Sequence, residues 1–487
     1  MKRRNVVMGL ILFGLLAISS LAIVGEAAAP PQSGSIAALE AALEQAGFTV
    51  QRGEYGFADA IALCNAGVIQ TCQGNNVGAP YLAYKLPPAP GQTTPNLFAD
   101  ARGLAFIYHL RADEAILQIG WTPPEAAYFS YQSYLGMRYD PAQKRYLQMF
   151  NSLGDSLNNL TIHTSGPKEN PFGQPVVILT AADRVVAAAV EAAVLGAGFP
   201  ADTVNLDVIA PALVHMGLEP GDDLFQFMSR IAVPTDRAAL ESYIASPGSV
   251  ILRLTPKEKP ARLHPFPSPV LRVRGTGTTE IAFLPAVDAL RDAILARYAD
   301  LEAIEVETSI ALPEGYAATQ SRINTMGDTR DAAYFSTVEV AAWTNPQDSR
   351  RAAAFPLGDD PNEFFIVYGV NHEASGKASY ASCAFYGLQF LNGVASVDNR
   401  TYKGSAEDYL PGDPMAPYLY AWKVARNANG DLHCTVLPTG PMHYGIGLEE
   451  DVIVFFRVYL EAATAAGPAP NELVFDRVIR FRPKAGG

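Results

Sequence analysis

From residue 116 onward the chain is built of short apolar or aromatic runs separated by Gly, Pro and Asn. Runs of that length between turn residues predict β-strands. They fall at 116–121, 128–135, 146–150, 160–163, 175–180 and 250–254, and then at 333–341, 363–369, 379–386, 418–424, 452–459 and 474–480. Helical spacing is rarer. Ile36, Leu39, Leu43 and Ala46 share one face over 35–47, where Gly47 ends the pattern. Helices are also predicted at 183–195, 222–231, 236–244 and 286–298. The pattern predicts an α+β protein, β-rich, with two similar β-sheet halves and a few flanking helices.

The division into halves rests on two observations. Pro256, Pro260, Pro265, Pro267 and Pro269 crowd one stretch, which stiffens an exposed connection and forbids a central strand. A local pattern also recurs. Ser152-Leu-Gly-Asp155-Ser156 matches Thr325-Met-Gly-Asp328-Thr329, with Asn158 and Asp331 at the same offset and an Asn-Pro pair downstream of each (Asn170-Pro171, Asn345-Pro346). The expected organisation is a signal peptide at 1–29, an N-terminal β-rich half at 30–255, a proline-rich linker at 256–269 and a C-terminal β-rich half at 270–487.

The N-terminus reads differently from the rest. Lys2, Arg3 and Arg4 precede an apolar run from Val6 to Val24, and small residues follow at Gly25 and Ala27-Ala28-Ala29. That is the layout of a secretory signal peptide, and it predicts a secreted or periplasmic protein. Four cysteines in an exported chain predict two disulfides, Cys64–Cys72 and Cys383–Cys434. No His/Cys spacing typical of a metal site is present; His433-Cys434 is the one adjacent pair, and neighbouring side chains rarely aim at one ion.

Charge removes further classes. Asp and Glu total 49 against 36 Lys and Arg, a net charge of −13, with no basic face for nucleic acid. There is no P-loop, no dinucleotide fingerprint and no calcium-loop spacing, so no cofactor is specified. After signal cleavage no membrane association is expected, and a small molecule or a polysaccharide remains as the partner.

Candidate chemistry gathers at the end of an apolar strand, where Asn371, His372 and Glu373 precede the Gly376 loop. Polar residues bunched there suit a binding or catalytic edge, with His372 as base and Glu373 as its partner or a metal ligand. A second set carries a resemblance. Gly154-Asp155-Ser156-Leu157-Asn158 resembles the nucleophile block of the GDSL, or SGNH, hydrolases. Gly369-Val370-Asn371-His372 resembles that family's Gly-x-Asn-Asp block, with His372 in place of Asp. Asp431-Leu432-His433 is similar to its Asp-x-x-His block, one residue short. The resemblance implies Ser156 as nucleophile, His433 as its base, Asp431 orienting the imidazole, and Asn371 among the oxyanion donors. The recurrence of the cassette at Gly327-Asp328-Thr329 supports a different reading, a turn in which Asp and Ser bond backbone.

Tyrosines cluster as well: Tyr128, Tyr131, Tyr134 and Tyr139 in one half, Tyr380, Tyr386, Tyr402, Tyr409, Tyr418 and Tyr420 in the other. At strand spacing these make either a sugar-binding face or a half-buried sheet. Three classes therefore remain: an extracellular hydrolase, a non-catalytic carbohydrate- or surface-ligand-binding protein, and a structural cell-envelope protein. The N-terminal reading is testable by itself. Edman sequencing of exported material should begin between Glu26 and Pro30; intact Met1 in a membrane fraction would overturn it.

Overall fold

The computed structural model describes residues 35–67, 69, 71–167, 169–338 and 353–484. The signal-peptide segment, Asn345-Pro346 and the end of the strand expected at 333–341 lie outside the described residues.

Strands predominate, arranged in three sheets with few helices. Every strand of the ten-stranded sheet comes from residues 48–256, and every strand of the other two comes from residues 302–482. The ten-stranded sheet folds over on itself. Phe48–Phe57 pairs along its first six residues with Val250–Pro256 and along its last four with Tyr81–Lys85. The crossing point is Gly53, where a Cβ would lie 2.6 Å from the Lys85 carbonyl oxygen. Only glycine permits that approach. The two limbs enclose one core, in which Ile116, Ile178 and Ile251 of one limb meet Tyr84, Phe129 and Phe227 of the other. The outer face of the first limb is covered by the helices Ile36–Gln45 and Arg184–Gly196. Ser35 and Asp183 cap these helices with side-chain oxygens, at the boundaries that the pattern marked.

The C-terminal half mirrors this layering. A six-stranded sheet containing Tyr380–Gly387 and Asp451–Tyr459 packs on a five-stranded sheet containing Phe364–Val370 and Leu419–Ala425. The helix Leu284–Arg297 covers the outer face of the five-stranded sheet through Val287, Leu290 and Ile294. The molecule is thus a stack: helices, two β layers, two β layers, helix.

Two expectations are corrected. Residues 222–231 are not helical; they belong to the strand Leu224–Pro234, paired on both sides. Phe225, Phe227 and Ile231 face one core while Met228 and Ala232 face the other, a period of two. Residues 160–163 form no strand: Asn158 accepts backbone N–H bonds at its carbonyl and at its side chain and turns the chain there.

The middle of the stack joins the halves. Tyr128 and Ala232 from the N-terminal half pack with Tyr334, Tyr380, Phe455 and Tyr459 from the C-terminal half. The two recurring cassettes meet here. Ser156 Oγ donates to Asp331, as do Asn158 Nδ2 at 3.0 Å and Tyr128 Oη at 3.0 Å. Asp328 accepts from Ser152 N at 3.0 Å and from Ser152 Oγ at 2.8 Å. In the other direction Arg330 Nε donates to Asp155 at 2.9 Å. Gly327, at φ 73°, packs its Cα where a Cβ would strike the Phe150 ring.

This arrangement orders the consequences of mutation. Asp331→Ala leaves three buried donors without an acceptor and should cost about 3 kcal/mol or more. Ser156→Ala removes one donor and should cost about 1–2 kcal/mol. Urea unfolding measures both; an equal or reversed order would contradict the clasp.

Candidate functional site

Each sheet face at the joint carries one arginine in a largely apolar and aromatic strand. Arg230 and Arg457 are 2% and 5% exposed. Arg230 lies over the rings of Tyr81 and Tyr134, at 5.6 and 5.4 Å, and donates to the Tyr134 hydroxyl and the Gly327 carbonyl. Arg457 lies over Phe455 at 4.6 Å and Tyr386 at 5.6 Å, and donates from Nη2 to Gly74 O at 3.1 Å. Its Nη1 is buried without a partner. Among the described residues neither arginine meets a carboxylate. Aromatic faces and carbonyls compensate part of the cost of burying such a charge, and an anion would compensate more.

Both arginines line a chamber of about 20 Å³, room for about one water molecule. Arg230 also forms the inner end of a cavity of about 330 Å³. Phe98, Leu104, Phe106, Phe150, Met228 and Met326 supply its apolar wall, and Lys85 adds a second cation. Lys85 Nζ sits 4.7 Å from the centre of the Phe106 ring. The acid on this wall, Asp100, is engaged by Arg102 at 2.8 Å, which holds its carboxyl below the ordinary range. The cavity opens into a cleft of about 1160 Å³ that passes Arg145 and Arg322. A cationic, apolar recess therefore lies inside an acidic protein. Gln73, Phe98, Phe150 and Met326 of this wall all have positive φ, at 58°, 57°, 43° and 53°. Left-handed backbone at non-glycine residues costs on the order of 1–3 kcal/mol each and gathers where function requires a set geometry.

The residues singled out from sequence lie elsewhere and are not brought together. His372 is 1% exposed; its Nδ1 lies 2.9 Å from Glu280 and its Nε2 3.4 Å from Asp476. Tyr420 Oη donates to Asp476 at 2.6 Å, and Glu280 also accepts from Val474 N at 3.0 Å. Burial opposes a charge on His372, but the two carboxylates outweigh it and push its pKa up to about 10. Burial likewise pulls Glu280 upward, and the imidazolium more than reverses this, holding it below its ordinary value. At neutral pH His372 is thus a fixed cation clamping the 276–281 segment to the sandwich, where the sequence suggested an accessible base. Lys377 repeats the device five residues later, donating to Glu472 at 2.6 Å and to Glu461. Asn371 is buried beside it, and Glu373 points to solvent. Ser156 is 2% exposed and committed to Asp331. His433 is on the surface, bonded to Asp408 at 2.7 Å. Ser156, His372 and His433 share no partner.

The tyrosines resolve toward the half-buried-sheet reading. Tyr128, Tyr131, Tyr134, Tyr380, Tyr386, Tyr402 and Tyr420 are all 2% exposed or less. The cysteines are unbonded. Cys383 lies in the core between the two C-terminal sheets, while Cys434 packs on the outer side of the five-stranded sheet, so the expected Cys383–Cys434 bridge has a sheet in its way.

Neither site arginine is singled out by motif. The available signal was a lone Arg inside a strand-period run, Phe-Met-Ser-Arg230-Ile-Ala-Val and Val-Phe-Phe-Arg457-Val-Tyr. The helical assignment of 222–231 hid the first.

No family model matches the chain, and no curated protein matches it. Among solved structures it is similar to the VPA0106 protein from Vibrio parahaemolyticus, with TM-score 0.34 and 11% identity over 84% of this chain and 90% of that one. It is also similar to an uncharacterized protein from Burkholderia cenocepacia, with TM-score 0.34 and 10% identity over 91% and 84%. Overlaps this shallow define neither a shared fold nor a shared activity.

The ionic clamp predicts a pH dependence. The folded pKa of His372 lies above its unfolded value of about 6.5, so its contribution is complete below that value and is lost as pH rises toward 10. Wild-type stability should fall over that window. His372→Gln should be less stable at neutral pH by about 3–5 kcal/mol, with a flatter pH profile across the window. Parallel pH profiles would show that His372 is not the titrating group.

Proposed function

We propose that this is a non-catalytic binding protein for a small amphipathic anion, held in the cavity between the two halves. The acid group of the ligand pairs with Arg230 at the inner end, a water in the small chamber links it to Arg457, and the apolar body lies along Phe98, Phe106 and Phe150. The observation that carries this reading is the pair of buried guanidiniums that meet no carboxylate among the described residues, sharing one small chamber, with Arg230 also lining an apolar recess. An anion there gains charge-assisted hydrogen bonds at low dielectric, while the walls exclude water from its body. The N-terminal sequence favours export, so the ligand would be met outside the cytoplasm. The hydrolase reading rests on Asn371, His372 and Glu373 and on the resemblance around Ser156 and His433; the burial of Ser156 and His372 against carboxylates weighs against it.

A matched pair of probes tests this. Anilinonaphthalene sulfonate carries an acid group that N-phenyl-naphthylamine lacks. The sulfonate should bind with one molar equivalent and at least about tenfold more tightly, a difference of about 1.4 kcal/mol. Arg230→Gln should erase the preference, and Ile107→Trp, which fills the cavity mouth, should weaken both probes. Equal affinity for the two probes in wild-type protein would refute an anion site.

A further inference from the structure

Three side chains far apart in sequence converge beside the cavity. Cys64 lies in the last turn of the helix Ala60–Asn65, Cys72 follows in the next loop, and His443 lies in the 3-10 turn Met442–Tyr444. One ligand atom from each lies within 4.8 Å of the other two. Both cysteines are buried, and His443 Nδ1 is buried without a hydrogen-bond partner.

The backbones that carry these groups are pinned to one another. His443 N donates to Asn65 Oδ1 at 3.2 Å, and its carbonyl accepts from Asn392 Nδ2 at 2.9 Å. Cys72 N donates to Phe390 O at 2.7 Å, and the Phe390 ring packs on the His443 ring at 4.2 Å. The three groups are therefore placed by tertiary contacts from both halves of the chain.

We propose that Cys64, Cys72 and His443 bind a zinc-class divalent cation. Two thiolates and one imidazole are a donor set typical of Zn²⁺, with a fourth position left for water or another ligand. Tetrahedral bonds of about 2.0–2.3 Å set ligand atoms about 3.3–3.8 Å apart, so a contraction of about 1 Å from the observed spacing closes the site. The rival is a Cys64–Cys72 disulfide, which the sequence led us to expect. A disulfide uses both sulfurs and gives the buried His443 nitrogen nothing, whereas a cation satisfies all three groups. Burial and the neighbouring Cys64 raise the Cys72 thiol above its ordinary pKa, and a bound cation reverses that preference by coordinating the thiolate. The cation staples the 60–74 segment, whose Leu63, Ile69, Cys72 and Gln73 form one wall of the cavity, to the C-terminal half. This assignment is independent of which ligand the cavity takes.

The test uses the full exported chain, reduced with a phosphine, stripped with a chelator and titrated with Co²⁺. One equivalent should bind, giving thiolate-to-cobalt absorption in the near ultraviolet and tetrahedral-intensity visible bands that Zn²⁺ abolishes. Zn²⁺ should raise Tm, because it binds the folded state. Cys64→Ser and His443→Ala should each weaken binding at least about tenfold. Cys383→Ser and Cys434→Ser should leave the spectrum unchanged and serve as folding controls. The proposal fails if reduced, folded protein takes up no stoichiometric Co²⁺, or if the Cys64 and His443 variants bind it as well as wild type. It fails also if native protein is two mass units light with a mapped Cys64–Cys72 bridge that the metal-free reduced form re-forms in the presence of Zn²⁺.

Discussion

Asp331 is the point at which two stacked sheet systems become one molecule. It is a fully buried carboxylate that accepts from Ser156, Asn158 and Tyr128, all of the N-terminal half, while its own chain segment opens the strand Ala332–Ser336 of the C-terminal half. Burial pushes its pKa up, and Arg272 and the three donors pull the other way. Hydrogen bonds of this kind have little value on a surface, where water competes. In a dry joint, every donor left without its acceptor costs the full desolvation of that group. The joint is consequently specific: sliding one half over the other breaks the Asp331 set and the Asp328 set together.

The same joint explains why the arginines remain charged and unneutralised. Asp328 is one residue from Gly327, whose carbonyl takes a hydrogen bond from Arg230. Yet Asp328 is filled by Ser152, Thr325 and the Gly315 amide, at 2.7–3.0 Å. Both buried acids of the joint are occupied by neutral donors, and Asp331 also, at a longer 3.4 Å, by Arg272. The positive charges of Arg230 and Arg457 stay on the small chamber that both line. A protein optimised for stability alone would pair them or replace them with apolar residues of similar volume. In the proposed reading, their place beside strained backbone at Phe150 and Met326 gives an anion a preset geometry to meet.

The sequence carried the architecture better than the chemistry. Strand periods and the helix starts near Ser35, Asp183 and Asp236 were legible because each depends on local preference. The cassette recurrence was also legible, but its meaning was not. Ser152–Asn158 and Thr325–Asp331 answer one another across the joint, a contact between residues about 175 apart that no local pattern encodes. His372 illustrates the opposite failure. A polar cluster at a strand end looks the same in sequence whether it faces solvent or Glu280 and Asp476, which lie 92 and 104 residues away.

Cysteine placement follows the same logic and sets how the cavity wall is held. Spacing alone made Cys64 and Cys72 a pair and left His443 among scattered histidines. The fold adds the third group by laying the 440–446 segment against the helix Ala60–Asn65, through Asn65 and Asn392. The wall of the recess is tied at two places: Cys72 N donates to Phe390 O, and Gly327 N donates to Phe150 O, both at 2.7 Å. Between these ties the lining residues Gln73, Phe98 and Phe150 hold left-handed backbone, a conformation that persists only where surrounding contacts over-determine it. A recess that is anchored on both sides and strained in between keeps its shape before any ligand arrives. Under the proposed binding role, less ordering cost would then fall on the ligand.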